Sequence, residues 1–161
     1  MLRAINYRKN KGFNMLEMLT ALLILSIGLL GVAILQARGQ QFNYVAYIRT
    51  QSVFLAYDIM DRMRLNQTVA KNGGYEVDCA NVSENMKNCN VGTCSPSELA
   101  TFDTVQWCGL ISTTLPEGQA TIARSRDVDG DNKNDYIITL QWREERTEDA
   151  EFKQQEWVLV L

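Results

Sequence analysis

Three groups of side chains in this sequence have types and spacings that could do chemistry. Asp127, Asp129, Asp131 and Asp135 stand at positions 1, 3, 5 and 9 of the run DVDGDNKND. EF-hand-type loops wrap oxygen ligands around calcium at this spacing, with a backbone carbonyl, here that of Lys133, at position 7. Asn132 stands where glycine is usual, and asparagine tolerates left-handed geometry. Position 12 is Ile138 rather than a bidentate glutamate, so a calcium site would be incomplete or would borrow a ligand. A polar hairpin loop of this composition needs no metal. The second group is Cys79, Cys89, Cys94 and Cys108, and the third is a single carboxylate, Glu17, set inside an otherwise apolar run.

The cysteines read as disulfides. Their number is even, the chain has no histidine, and spacings of 10, 5 and 14 contain no CxxC pair of the kind a zinc site uses. Ser95-Pro96-Ser97-Glu98 is a capping box with proline at the first helical position, which predicts a helix from about Pro96 to Ser112. A straight helix there holds Cys94 and Cys108 roughly 20 Å apart, beyond the 7 Å Cα limit for a bridge. Two pairings stay open: Cys89 to Cys94 with Cys79 to Cys108, or Cys79 to Cys94 with Cys89 to Cys108. Asn90 and Gly92 suit a short closed loop and favour the first.

Glu17 needs an explanation because of where it sits. From Phe13 to Leu35 the chain is apolar apart from Asn14, Glu17, Thr20 and Ser26. A helix over that run reaches roughly 34 Å, against about 30 Å for a bilayer's hydrocarbon core. Arg3, Arg8, Lys9 and Lys11 precede it with no acid, which predicts a cytoplasmic N-terminus and everything after Leu35 outside. A secretory signal has a shorter apolar core and a small-residue cleavage site, and Ala33 to Ala37 is a poor match to one. A plain anchor has no use for a carboxylate that costs a few kcal/mol to insert at the centre of a membrane.

A short basic leader ending in Gly12, then Phe13, then Glu17 as the fifth residue after the cut resembles the type IV prepilins. The resemblance implies cleavage between Gly12 and Phe13 by a prepilin peptidase, N-methylation of Phe13, and retention of the apolar helix. Glu17 then becomes tolerable by pairing with a Phe13 ammonium, within the chain or on a neighbouring subunit, and could set the axial register of a filament. Leu30 to Leu65, with "LQAR", "AYIR" and "LAYDIMDRMR", and Cys94 to Ile122 are similar to the minor pilins called type IV pilus modification protein PilV. That narrower resemblance implies a minor pilin near the pilus tip that initiates or modifies assembly.

The expected organisation is a cytoplasmic leader at 1–12, a transmembrane and filament-core helix at 13–35, and a periplasmic pilin domain at 36–161. Removing the leader's four basic residues takes the net charge from −3 to about −7, which argues against general nucleic-acid affinity. Gly28, Gly31 and Ser26 give the membrane helix small residues that permit close helix approach. Past Gln36, Phe42, Val45, Ala46, Val53, Ala56, Met60 and Met63 define one apolar face, with Asn43, Tyr47, Gln51, Asp58 and Arg62 facing away. Asp58 and Arg62 read as an i, i+4 pair on a solvated face. The helix should stop near Asn66. Residues 67–94 show little periodicity and should rely on disulfides for their order.

Strands are expected at Gln119–Arg126, Tyr136–Arg143 and Phe152–Leu161, giving an α+β, pilin-like fold. In it a long N-terminal helix, membrane half plus amphipathic half, packs on a small antiparallel sheet beside a second short helix. The partners implied are the peptidase, other minor and major pilins, and the inner membrane before the pilus. No cofactor is required, calcium at the acidic loop being the one candidate. Two alternatives stand: a type II secretion pseudopilin, and a membrane-anchored periplasmic calcium-binding module. An enzyme is not expected, since there is no histidine, G-x-S-x-G, H-E-x-x-H or P-loop.

Overall fold

The computed structural model describes residues 14–83, 86–126, 134–144 and 151–161. Seven elements follow in order: α1 (Met15–Leu65), α2 (Gln67–Lys71), β1 (Val77–Asp78), α3 (Pro96–Thr114), β2 (Gln119–Arg126), β3 (Asn134–Arg143) and β4 (Phe152–Leu159). The chain divides into two compact units at Asn43 and Tyr44. The architecture is α+β and pilin-like, with one long N-terminal helix and a four-stranded antiparallel sheet.

Within the second unit, residues 44–65 of α1, helix α3 and one face of the sheet share a single core. The buried α1 residues are Ile48, Ser52, Leu55, Ala56, Ile59, Met60 and Met63. Ala56, Met60 and Met63 were expected there, but the buried face is turned about 60° from the expected one, at roughly 100° per residue. Phe42 is 71% exposed, and Ala46 is exposed as well. Ser52 hides the true pattern. It interrupts Ile48, Leu55 and Ile59 with a hydroxyl, yet its Oγ donates to the Arg49 carbonyl at 2.8 Å, so burying it leaves no unmet donor. Trp107 of α3 fills the space opposite and donates Nε1–H to the Leu55 carbonyl at 2.8 Å.

The sheet is ordered β1-β2-β3-β4. Ala120 lies opposite Leu140, and Ile122 opposite Ile138, so the buried side chains of β2 and β3 form rows on the face that meets the helices. On β3 the alternation is as expected: Ile138, Leu140 and Trp142 are buried, while Ile137, Thr139 and Gln141 are half-buried. β4 ends at Leu159, two residues short of the expected end.

The connection after α1 carries more structure than its composition announces. Asn66 breaks the helix, α2 occupies five residues, and Asn72-Gly73-Gly74 turns the chain. Gly73 has φ +88°, a conformation that favours glycine. At Gly74 a Cβ would overlap Val69 Cγ1. Tyr75 is then carried into the core, where Asp103 of α3 is also buried. The Tyr75 hydroxyl donates to Asp103 Oδ2 at 2.9 Å, and Arg62 Nη1 donates to Asp103 Oδ1 at 3.2 Å and to Gln106 Oε1 at 2.7 Å. Arg62 Nε keeps its Asp58 partner at 3.0 Å. Asn66 Nδ2 donates to the Pro96 carbonyl at 2.7 Å and to the Tyr75 hydroxyl at 3.3 Å. The Asp58 and Arg62 pair is therefore not an isolated solvated pair but the outer end of a polar network that joins α1, α3 and the 66–75 connection.

Both disulfides take the first of the two open pairings. Cys79 and Cys108 are bridged at a Cα separation of 5.3 Å, and Cys89 and Cys94 at 5.7 Å. The capping box is formed: Glu98 N–H donates to Ser95 Oγ at 3.3 Å, and Ser95 N–H donates to Glu98 Oε2 at 2.7 Å. That backbone bond, with Lys87 beside it, holds the Glu98 carboxyl below the usual carboxylate range.

Two outcomes are expected from unfolding experiments on the full chain. By the loop-entropy relation, replacing Cys79 and Cys108 by serine costs about 3.5 kcal/mol, and replacing Cys89 and Cys94 costs about 2 kcal/mol. Urea titration followed by tryptophan fluorescence checks the ranking. Burial pushes the Tyr75 phenol up, with Asp103 adding to the shift. Its folded value thus lies above its unfolded one, so the stability it contributes is complete below about pH 10 and is lost as pH rises further. Tyr75→Phe costs about 1–3 kcal/mol at pH 7 by removing a partner of buried Asp103. The gap between wild type and variant should narrow from pH 9 to pH 11.5.

Candidate functional site

Among the described residues the first unit is a helix with nothing of its own to bury against. Every large apolar side chain from Met15 to Leu35 is more than half exposed. The helix is long and apolar enough to cross a membrane. Its polar side chains are arranged for such surroundings. Thr20 Oγ1 donates to the Glu17 carbonyl at 2.9 Å, and Ser26 Oγ donates to the Leu23 carbonyl at 2.8 Å, so both hydroxyls are satisfied inside the helix.

Glu17 stands apart from that rule. It lies in the first turn of α1, where its backbone N–H donates to the Asn14 carbonyl at 3.0 Å. Its carboxylate makes no ion pair among the described residues, while the helix N-terminus offers it a favourable partial charge. The side chain is thus a single unmatched anion on an apolar rod. It has the chemistry to receive one cation from another chain or from a segment preceding α1. Gly28 and Gly31 have no atom within 4 Å of where a Cβ would be, so nothing among the described residues requires glycine at either position. Their effect is to lower the helix surface where another helix can approach closely.

Gly12 and Phe13, the expected cleavage and methylation residues, lie outside the described residues, as do Asp127, Asp129, Asp131 and Lys133 of the acidic loop. Asp135 is described, and it sits in β3 rather than in a loop, fully buried and opposite Ser125. Among the described residues no group of three or more His, Cys, Asp or Glu side chains could hold a metal ion. All four cysteines are consumed by the two bridges.

Sequence reasoning missed Asp103 and Gln106 as partners of Arg62, and Tyr75 as the second donor to Asp103. The available signal was Asp103 itself, an acid among the apolar positions Phe102 and Val105 of α3, which needs a cation or donors if it is to be buried.

Comparison with known proteins bears on a different stretch from Glu17. Residues 34–105, a little under half of the chain, match the family described as Tt1218-like, type IV pilin Tt1218. The match runs from the end of the apolar stretch of α1 through α2 and β1 into α3, and it supports a type IV pilin role. It owes nothing to the basic leader, Phe13 or Glu17. No curated protein and no solved structure matched the chain.

The exposed apolar helix generates its own test. Ile24→Lys places a charge near the middle of the run and should cost about 3 kcal/mol of membrane insertion. Carbonate extraction of membranes expressing the full chain should leave the wild type in the pellet and release a large share of the variant.

Proposed function

We propose that this chain is a minor type IV pilin of the PilV kind, incorporated near the pilus tip, where it initiates or modifies assembly. The observation that carries this reading is the combination within α1. An apolar half with one unmatched carboxylate in its first turn continues, without a break, into the stretch that resembles a pilin family.

In this reading a prepilin peptidase cuts between Gly12 and Phe13 and the new N-terminus is methylated. The helix at 13–35 holds the chain in the inner membrane with residues 36–161 in the periplasm. On assembly the same helix exchanges lipid for the helices of other pilins, at little cost because both surroundings are apolar. Glu17 accepts the Phe13 ammonium of a neighbour. That pairing offsets the desolvation of both charges and rewards one axial offset between subunits over others. The second unit supplies surfaces for other minor and major pilins. The role is structural, and the chain performs no reaction of its own.

Intact mass and N-terminal sequencing of the protein from membranes, with and without the host's prepilin peptidase, test the processing step. A chain beginning at N-methylated Phe13 only when the peptidase is present is expected, and an uncut Met1 or a cut beyond Leu35 overturns the reading. Glu17→Gln should be processed like the wild type. Its recovery in sheared pili should fall by about tenfold or more, because one buried charge is left unpaired.

A further inference from the structure

β4 is an outer strand, and among the described residues no strand pairs its far side. Its register places Lys153 opposite Trp142 and Gln155 opposite Leu140. Directly opposed residues share a sheet face, so Lys153 and Gln155 point to the same side as the core. Trp142 and Leu140 are buried, yet Lys153 and Gln155 are exposed. Over the first half of β4 the side chains on the core side of the sheet are left uncovered. A cleft of about 330 Å³ opens there, between Arg49 and Val53 of α1 and the strand pair carrying Trp142, Glu144, Lys153 and Gln155.

The unmet groups of this cleft are of one kind. Arg49 and Glu144 satisfy each other through two contacts, Nε to Oε1 and Nη2 to Oε2, and form a neutral pair. Lys153 has no ion pair or hydrogen bond among the described residues. Trp142 Nε1–H is buried with no acceptor among the described residues. The Trp142 donor is too deeply buried for an incoming group to reach, so the accessible donor of the cleft is the Lys153 ammonium, and the group that complements it is an anionic acceptor. The adjoining β4 edge has backbone groups that no described strand pairs and that can template another strand, and the side chains of an added strand alternate between the two faces of the sheet.

We propose that the cleft and the β4 edge form one docking site for an extended segment of a partner protein. The segment pairs with β4 and turns an acidic side chain, flanked by apolar ones, toward Lys153, with Val53 and Trp142 as the apolar walls. This site lies wholly within the second unit and does not depend on the fate of the N-terminal helix.

The test uses the full chain in detergent micelles with ¹⁵N-labelled tryptophan. The probes are the peptide acetyl-Thr-Val-Thr-Glu-Thr-Val-Thr-amide, its Gln counterpart, and propionate. The Glu peptide is expected to shift the Trp142 indole resonance, assigned with Trp142→Phe and Trp157→Phe. Replacing its Glu by Gln should weaken binding about tenfold. Anisotropy of the labelled peptide reads the exposed position independently of those two variants: Lys153→Gln should lose about tenfold in affinity and Lys153→Arg should keep it. Equal binding of the Glu and Gln peptides, or none, overturns the site and leaves Lys153 as a charge that merely guards an open edge. A shift by propionate alone as large as that by the peptide, at the same concentration, overturns the strand component and leaves a site for small free carboxylates.

Discussion

A buried carboxylate organises the second unit. Asp103 sits on α3 away from water, and a charge so placed is tolerated only if its lone pairs are met by well-aligned donors. Those donors come from two other segments, Arg62 on α1 and Tyr75 on the connection that follows it, and Asn66 binds that connection to the start of α3. Such a network is satisfied in one arrangement and costly in nearly all others. A rotation of α3 about its own axis would leave Asp103 unpaired, and a slip of the 66–75 connection would strand the Tyr75 hydroxyl. The apolar core around Trp107 supplies most of the burial but is less selective, because apolar contacts exchange for one another with little penalty.

The elements legible in the sequence were those marked by local chemistry. The proline and capping box of α3, the absence of proline before Pro96, and the alternation along β3 each act over a few residues and need no knowledge of the rest of the chain. Disulfide geometry belongs to the same class, since one confident helix was enough to exclude a bridge from Cys94 to Cys108. What escaped depended on contacts distant in sequence. β1 is two residues long and exists because β2 lies beside it, with Cys79 N–H continuing the ladder to the Ala120 carbonyl at 2.9 Å. The orientation of α1 depended on Ser52, a polar residue absent from the expected apolar face, whose hydroxyl is buried because it bonds the Arg49 carbonyl. Arg62 read as half of a surface pair because its nearest acid in sequence, Asp58, was a sufficient partner on its own.

The functional reading draws on two stretches that do not overlap. The leader, Phe13 and Glu17 carry the argument about processing and pairing, and they precede the residues that resemble a pilin family. The resemblance begins at residue 34, where the chain stops being uniformly apolar. One continuous helix passes from the first stretch into the second, so a single element serves two opposite demands. Its first part meets the hydroxyls of Thr20 and Ser26 inside the helix, leaves the Glu17 carboxylate without a partner among the described residues, and buries no large apolar side chain. Its last part buries one stripe against α3 and the sheet.

The bridge between Cys79 and Cys108 also bears on force. If a load enters the chain through α1 and leaves near β4, tension must pass from Cys79 to Cys108 along the shortest covalent route, which is the bridge itself. The 29-residue span it closes, with most of α3 inside it, lies off that route. Roughly 100 Å of chain that could otherwise be paid out as slack is thereby locked away. Under tension the oxidised chain is correspondingly shorter, and its capacity to stretch lies in α1, the connection after it and the segment carrying β2, β3 and β4.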